Sequence, residues 1–195
     1  MVAAALLPGS RIEIDDVGLN PTRTALLSVL RRFGARVTVD VAAREADEPR
    51  GRLVVEGDRR RPLEISPEEV PGLIDELPAV AVLAAHGAEV SVRGAAELRV
   101  KESDRIADLV AGFRALGIDA DERPDGFVVN GPSKGSGTRS SRPSGGTADA
   151  HGDHRLVMAF ALAGLAADAP STILGADAVN ISYPGFFQTL ERLIA

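Results

Sequence analysis

The chain has 195 residues, 45% of them hydrophobic and 26% charged, which is enough to bury a sizeable core and implies one compact domain, 1–195. It contains no cysteine, so disulfides, cysteine zinc sites and thiol nucleophiles are excluded, and a reducing compartment, most simply the cytoplasm, is expected. With a net charge of −6, one tyrosine, six phenylalanines and no tryptophan, the surface repels phosphate backbones and offers few stacking platforms, which argues against nucleic-acid binding.

In chain order, one pattern recurs about three times: an apolar helix, a Gly or Pro break, a strand, a polar corner, then an amphipathic helix. The first pass runs from Val2 to Val37. Its apolar segment VAAALLPG leads into a strand at Arg11 to Ile14, a corner at Gly18 to Arg23, and a helix with Leu26, Leu27, Leu30 and Phe33 at helical spacing. Asn20 and Pro21 suit helix initiation and Arg23 suits solvent, so this corner is assigned no chemistry. The second pass has an apolar helix at Leu77 to Gly87, strand EVSVRG, the corner ELRVKESDR (Glu97 to Arg105), and a helix carrying Ile106, Leu109, Val110, Phe113 and Leu116. The third has an apolar helix at Arg155 to Pro170, strand STIL, the corner Ala178 to Gly185, and a helix with Phe186, Phe187, Leu190, Leu193 and Ile194.

The first two passes continue into a second strand region, at Gly51 to Gly57 and Asp125 to Gly131, whereas the third does not. The last unit therefore reads as incomplete, and the chain reads as a fragment. Helices without a polar stripe belong in the interior, so the expected architecture is α/β, three-sided, with helices inside. Ser133 to Thr147, rich in Gly and Ser, reads as a mobile surface loop. Leu156 to Ala169, the longest apolar stretch, is too short to span a membrane.

Charged residues gather at helix starts, where free N–H groups and the positive dipole end favour anions. In KESDR, Lys101 and Arg105 are four apart and would share a helix face, with Glu102 and Asp104 turned elsewhere; the plain alternative is a solvated first turn capped by Ser103 or Asp104. HGDHR (His151 to Arg155) puts two histidines and an arginine before a buried helix, either as a polar cap or as part of a site; its histidine spacing is wrong for a metalloprotease zinc site. Asp75 precedes the second buried helix, either as a simple N-cap or, facing a cleft near Lys101, as a candidate general base.

The strings LNPTRTALLSVLRRFGA, LIDELPAVAVLAA, ELRVKESDRI, GDHRLVMAFALAGL and SYPGFFQTL, in this order, resemble the C-terminal part of 5-enolpyruvylshikimate-3-phosphate (EPSP) synthases. The resemblance covers nearly all of this chain and somewhat under half of the family's. It implies one domain of three βαβαββ units with buried helices, an alpha-beta prism, facing a second domain across the active site. It also implies that the family's own N-terminal segment completes the third unit.

The implied reaction adds the 5-hydroxyl of shikimate 3-phosphate to C2 of phosphoenolpyruvate while C3 is protonated, and phosphate then leaves; no metal or organic cofactor is implied. By position, Asp75 matches the family carboxylate at the shikimate hydroxyls, Lys101 a lysine near the reacting hydroxyl, and Glu102 a glutamate that moves the C3 proton. Arg105 and Arg155 match arginines that clamp phosphoenolpyruvate, and His154 a histidine beside them. Ile181 stands where some members have a lysine for phosphoenolpyruvate, and Glu97 where some have an asparagine that touches substrate. A partner domain, phosphoenolpyruvate and shikimate 3-phosphate are the implied partners. The expectation is that Lys101, Arg105 and Arg155 converge with Asp75 and Glu102 on one face as an open positive well, and that the isolated chain does not turn over.

Overall fold

A computed structural model describes residues 9–46, 48–86, 88–132 and 142–194. The helix expected within 2–8 and residues 133–141 of the expected loop lie outside the described residues. The first unit comprises β1 (Arg11–Gly18), α1 (Ala25–Phe33), β2 (Arg36–Glu45) and β3 (Glu48–Glu56). The second is a whole βαβαββ unit: β4 (Leu63–Ile65), α2 (Leu77–Ala81), β5 (Val90–Val92), α3 (Arg105–Ala115), β6 (Ile118–Arg123) and β7 (Gly126–Pro132). The third comprises β8 (Gly146–Asp149), α4 (His154–Gly164), β9 (Ser171–Leu174) and α5 (Phe186–Ile194).

Each unit forms its own sheet, and comparing the three exposes what two of them lack. The second has the order β4-β5-β7-β6, its first pair parallel and the others antiparallel. The first has β1-β3-β2, which is the same arrangement without the leading parallel strand. The third has only the parallel pair β8-β9, without the antiparallel hairpin. Among the described residues, β1 and β9 therefore each present an edge where the complete unit has a neighbour. Strand β8 begins at Gly146, so the last two residues of the expected loop pair with β9 instead. Gly146 tolerates this because it has φ +151° and no Cβ, which would lie 2.2 Å from the Ala115 carbonyl oxygen.

The apolar helices are buried as their sequences require. Leu77, Val80 and Ala81 of α2 are inaccessible, as are Val82 to Ala85, where the winding tightens into a 3-10 turn, Val82–His86. In α4, Leu156, Val157, Ala159, Phe160 and Ala163 are inaccessible, and α2 packs directly on α4. These helices join the inward faces of the sheets in one core, to which each fully buried Leu, Val or Phe contributes roughly 1.5–3 kcal/mol.

Helix α3 buries Ile106, Leu109, Val110 and Phe113, positions i, i+3, i+4 and i+7 of one stripe. It crosses α4 at a point of close approach. A Cβ on Gly112 would lie 2.1 Å from Phe160 Cζ, and Phe160 also meets Phe113 edge-on at 5.9 Å between ring centres. Gly112→Ala is accordingly expected to destabilise by about 1–3 kcal/mol through overpacking, although alanine is the better helix former. Urea denaturation measures this; a variant at least as stable as wild type would show that the crossing relaxes freely.

Candidate active site

Three helix starts meet at one end of the domain: α2 after Asp75, α3 at Arg105 and α4 after Asp153. Their caps differ. Asp104 caps α3, its side chain accepting from the Ala107 N–H at 3.1 Å, and Asp153 caps α4, accepting from the Arg155 N–H at 2.8 Å. The cap residue of α2 is Glu76, which makes no side-chain cap bond. The reading of Asp75 as a simple N-cap is therefore corrected: its carboxylate is drawn sideways to two guanidinium groups.

Arg105 is at the centre, only 1% exposed. Its Nε donates to Asp153 Oδ2 at 2.5 Å, its Nη1 to Asp75 Oδ1 at 3.4 Å, and its Nη2 to Glu102. Arg155 adds a second guanidinium, with Nη2 3.1 Å from Asp75 Oδ2 and Nη1 donating to the Asp75 carbonyl at 2.9 Å. The Arg155 Nε is buried without a hydrogen-bond partner. Asp75 thus bridges the two arginines, one oxygen to each. Arg105, Arg155, Asp75 and Glu102 come together as expected, from residues as far apart as 80 positions in the chain.

Two expectations need correction. Lys101 and Arg105 do not share a helix face, because α3 begins only at Arg105 and Lys101 ends the preceding 3-10 turn, Ala96–Val100. Lys101 pairs with Glu97 instead, and it is Glu102 that meets Arg105. Nor is the cluster an open positive well. Its two guanidinium groups face three carboxylates, Asp75, Glu102 and Asp153, so an arriving anion must take over N–H groups now bonded to Asp75 and Glu102. Those two acids are about half exposed and exchangeable, whereas Asp153 is wholly buried and holds Arg105 in place.

His154 opens α4 beside the cluster and has no ion-pair partner among the described residues. Ile181, at the end of the 3-10 turn Ala176–Ile181, is 81% exposed and supplies no cation. Asp153 is the residue the motif reading passed over, since GDHR drew attention to its histidine and arginine. An aspartate directly before an all-apolar helix was the available signal.

Next to the cluster, Thr22, Arg23, Gly72, Ile74, Asp75 and Glu76 line a recess of about 210 Å³. A roomier hollow, about 910 Å³, lies at the bulges of β1 and β2, but its lining pairs with itself, Arg50 to Asp16 at 2.8 Å and Arg52 to Asp15 at 3.4 Å. The smaller space shares Asp75 with the two guanidinium groups, and so it is the one that adjoins the cluster. Among the described residues no group of His, Cys, Asp and Glu is arranged to hold a metal ion, and no helix is long and apolar enough to cross a membrane.

Comparison with known proteins places the chain in a family. A 3-phosphoshikimate 1-carboxyvinyltransferase of Carboxydothermus hydrogenoformans is 47% identical over 195 residues, covering 99% of this chain and 44% of that protein. One from Lactiplantibacillus plantarum is 46% identical over 194 residues, covering 99% of this chain and 43% of its own. A solved EPSP synthase from Acinetobacter baumannii superposes with a TM-score of 0.88 at 37% identity, over 98% of this chain and 43% of that structure. The chain thus spans somewhat under half the length of the relatives it matches. The family model described as EPSP synthase (3-phosphoshikimate 1-carboxyvinyltransferase) matches residues 1–190, and the chain belongs to that family.

Proposed function

We propose that this chain supplies one half of an enolpyruvyl-transfer site, in which phosphoenolpyruvate and shikimate 3-phosphate react between it and a complementary domain of the same enzyme, in the cytoplasm. The observation that carries the reading is the meeting of Arg105 and Arg155 with Asp75 and Glu102 at three helix starts. In this reading the two planar guanidinium forks grip the phosphate and carboxylate of phosphoenolpyruvate through charge-assisted bonds, displacing Asp75 and Glu102. Released from the arginines, the two acids become free to handle protons. Asp75 accepts the proton of the shikimate 5-hydroxyl as its oxygen bonds to C2. Glu102, once free of Arg105, takes a proton from solvent and delivers it to C3, then recovers one from that carbon as the C2–oxygen bond to phosphate breaks and phosphate leaves. Lys101 leaves Glu97 and lies against the reacting hydroxyl, and His154 lines the phosphoenolpyruvate side. Neither a metal nor an organic cofactor enters this scheme.

On its own the chain leaves this site open to water and screened by salt, so we expect weak, salt-sensitive phosphoenolpyruvate binding without turnover. Titration followed by backbone amide NMR tests this. Shifts should concentrate at residues 101–106, 151–156 and 75–76, weaken as salt is raised, and disappear in Arg155→Ala. Shifts scattered over other faces, or unaffected by that substitution, would leave these motifs as helix caps only.

A further inference from the structure

We infer that Arg99 is the positioning residue of the KESDR corner, the group through which the β6–β7 hairpin sets Lys101 and Glu102 for turnover; this rests on the transferase reading above. All three nitrogens of its guanidinium are engaged. Nη1 donates to Asp104 Oδ2 at 2.9 Å and Oδ1 at 3.2 Å, Nη2 to the Arg123 carbonyl at 2.6 Å, and Nε to the Pro124 carbonyl at 2.9 Å. Nη2 also lies 2.9 Å from Glu122 Oε1, and that bond, foremost, holds the guanidinium more firmly protonated than a free arginine.

The corner needs such a brace. Residues 101–103 belong to neither helix nor strand, the Ser103 hydroxyl is buried with no partner, and the local backbone bond is that from the Arg105 N–H to the Ser103 carbonyl at 2.9 Å. The Arg99–Asp104 pair closes this stretch from both ends. Asp104 passes the constraint on, because the oxygen facing Arg99 also caps the Ala107 N–H at the start of α3. The far end of the brace is fixed too: Asp125, next to the two accepting carbonyls, holds the Gly94 N–H with its side chain at 2.9 Å and the Ala95 N–H with its carbonyl at 2.7 Å.

Arg105 and Arg155 are secured separately, by Asp153 and by the Asp75 carbonyl. Loss of Arg99 should therefore free Lys101 and Glu102 while leaving the anion clamp in place, which separates turnover from phosphoenolpyruvate affinity. A lysine cannot substitute, since one ammonium cannot span acceptors that lie on both sides of a planar fork.

Two measurements decide the matter. In the chain itself, Arg99→Gln should speed hydrogen exchange at the Arg105 and Ala107 amides by about tenfold or more while Phe160 in α4 keeps its protection; unchanged Ala107 protection would overturn the brace. In the complete enzyme, Arg99→Gln and Arg99→Lys should lower kcat about 10²-fold, the scale of a 1 Å misplacement, with KM for phosphoenolpyruvate little changed. Glu122→Gln, which keeps the Asp104 contact, should stay near wild type. In a double-mutant cycle, Arg99→Gln should lose much of its effect once Glu102→Gln is present; fully multiplicative losses would mean that Arg99 does not act through Glu102 and would overturn that part of the brace. A wild-type control that releases no phosphate contradicts the transferase reading and the catalytic half of this inference with it, whereas the exchange result still decides whether Arg99 holds the corner.

Discussion

Replacing Asp153 with alanine is expected to cost about 3–5 kcal/mol of stability, the usual penalty for stripping one partner from a buried ion pair. Asp153 is wholly inaccessible and Arg105 nearly so, and among the described residues Asp153 is the one charged partner of that guanidinium that is equally buried. The alanine leaves a desolvated charge facing a void and also removes the N-cap of α4 at the Arg155 N–H. For a domain of this length, the loss corresponds to a fall in Tm of roughly 6–20 °C. Asp153→Asn keeps an oxygen for the cap while removing the charge, so it should fall between alanine and wild type. Thermal and urea unfolding would measure both, and a Tm within a degree or two of wild type for the alanine variant would mean that Glu102 and Asp75 suffice to hold Arg105.

Glu102→Gln has the largest expected effect on activity. If Glu102 moves the C3 proton, its loss in the complete enzyme should lower kcat by about 10²–10⁴-fold, the range for removing a positioned acid or base. Affinity for phosphoenolpyruvate should hold or rise, because Glu102 competes with the incoming anion for Arg105 Nη2. This pairing of slower chemistry with undiminished binding distinguishes a proton-transfer role from a binding role. A raised KM with kcat unchanged would reassign Glu102 to binding.

The interior of this fold was legible because Leu77 to Ala85 and Leu156 to Ala166 have no polar stripe, a pattern that only burial satisfies. Amphipathic α1, α3 and α5 were legible for the complementary reason, with glycine at 34 and 117 in left-handed conformation just past two of them. Strands β4 and β8 were not. They have three and four residues, too few for alternation to show, and what makes them strands is the parallel neighbour that the chain supplies much later.

The site follows the same logic. Motif spacing brought Arg105, Arg155, Asp75 and Glu102 to notice, but which acid meets which base depends on where the helices begin. Reading KESDR as continuous helix placed Lys101 above Arg105, whereas the chain turns irregularly until Asp104 caps α3, sending Lys101 to Glu97 and Glu102 to Arg105. Asp153 escaped notice because Arg105 lies 48 residues away, and Arg99 because the carbonyls of Arg123 and Pro124 that fix its far side lie 24 and 25 residues away, distances at which a single sequence carries no pairing signal.

If this chain is half of an enolpyruvyl-transfer site, a complementary domain should restore transfer. The purified chain is mixed with a separately produced complementary domain, phosphoenolpyruvate and shikimate 3-phosphate, and phosphate release is followed. Release that requires both protein halves and both substrates, and that fails with Arg105→Ala or Glu102→Gln, is the predicted result. A folded, associated pair that releases no phosphate, or release by this chain alone, would contradict the account.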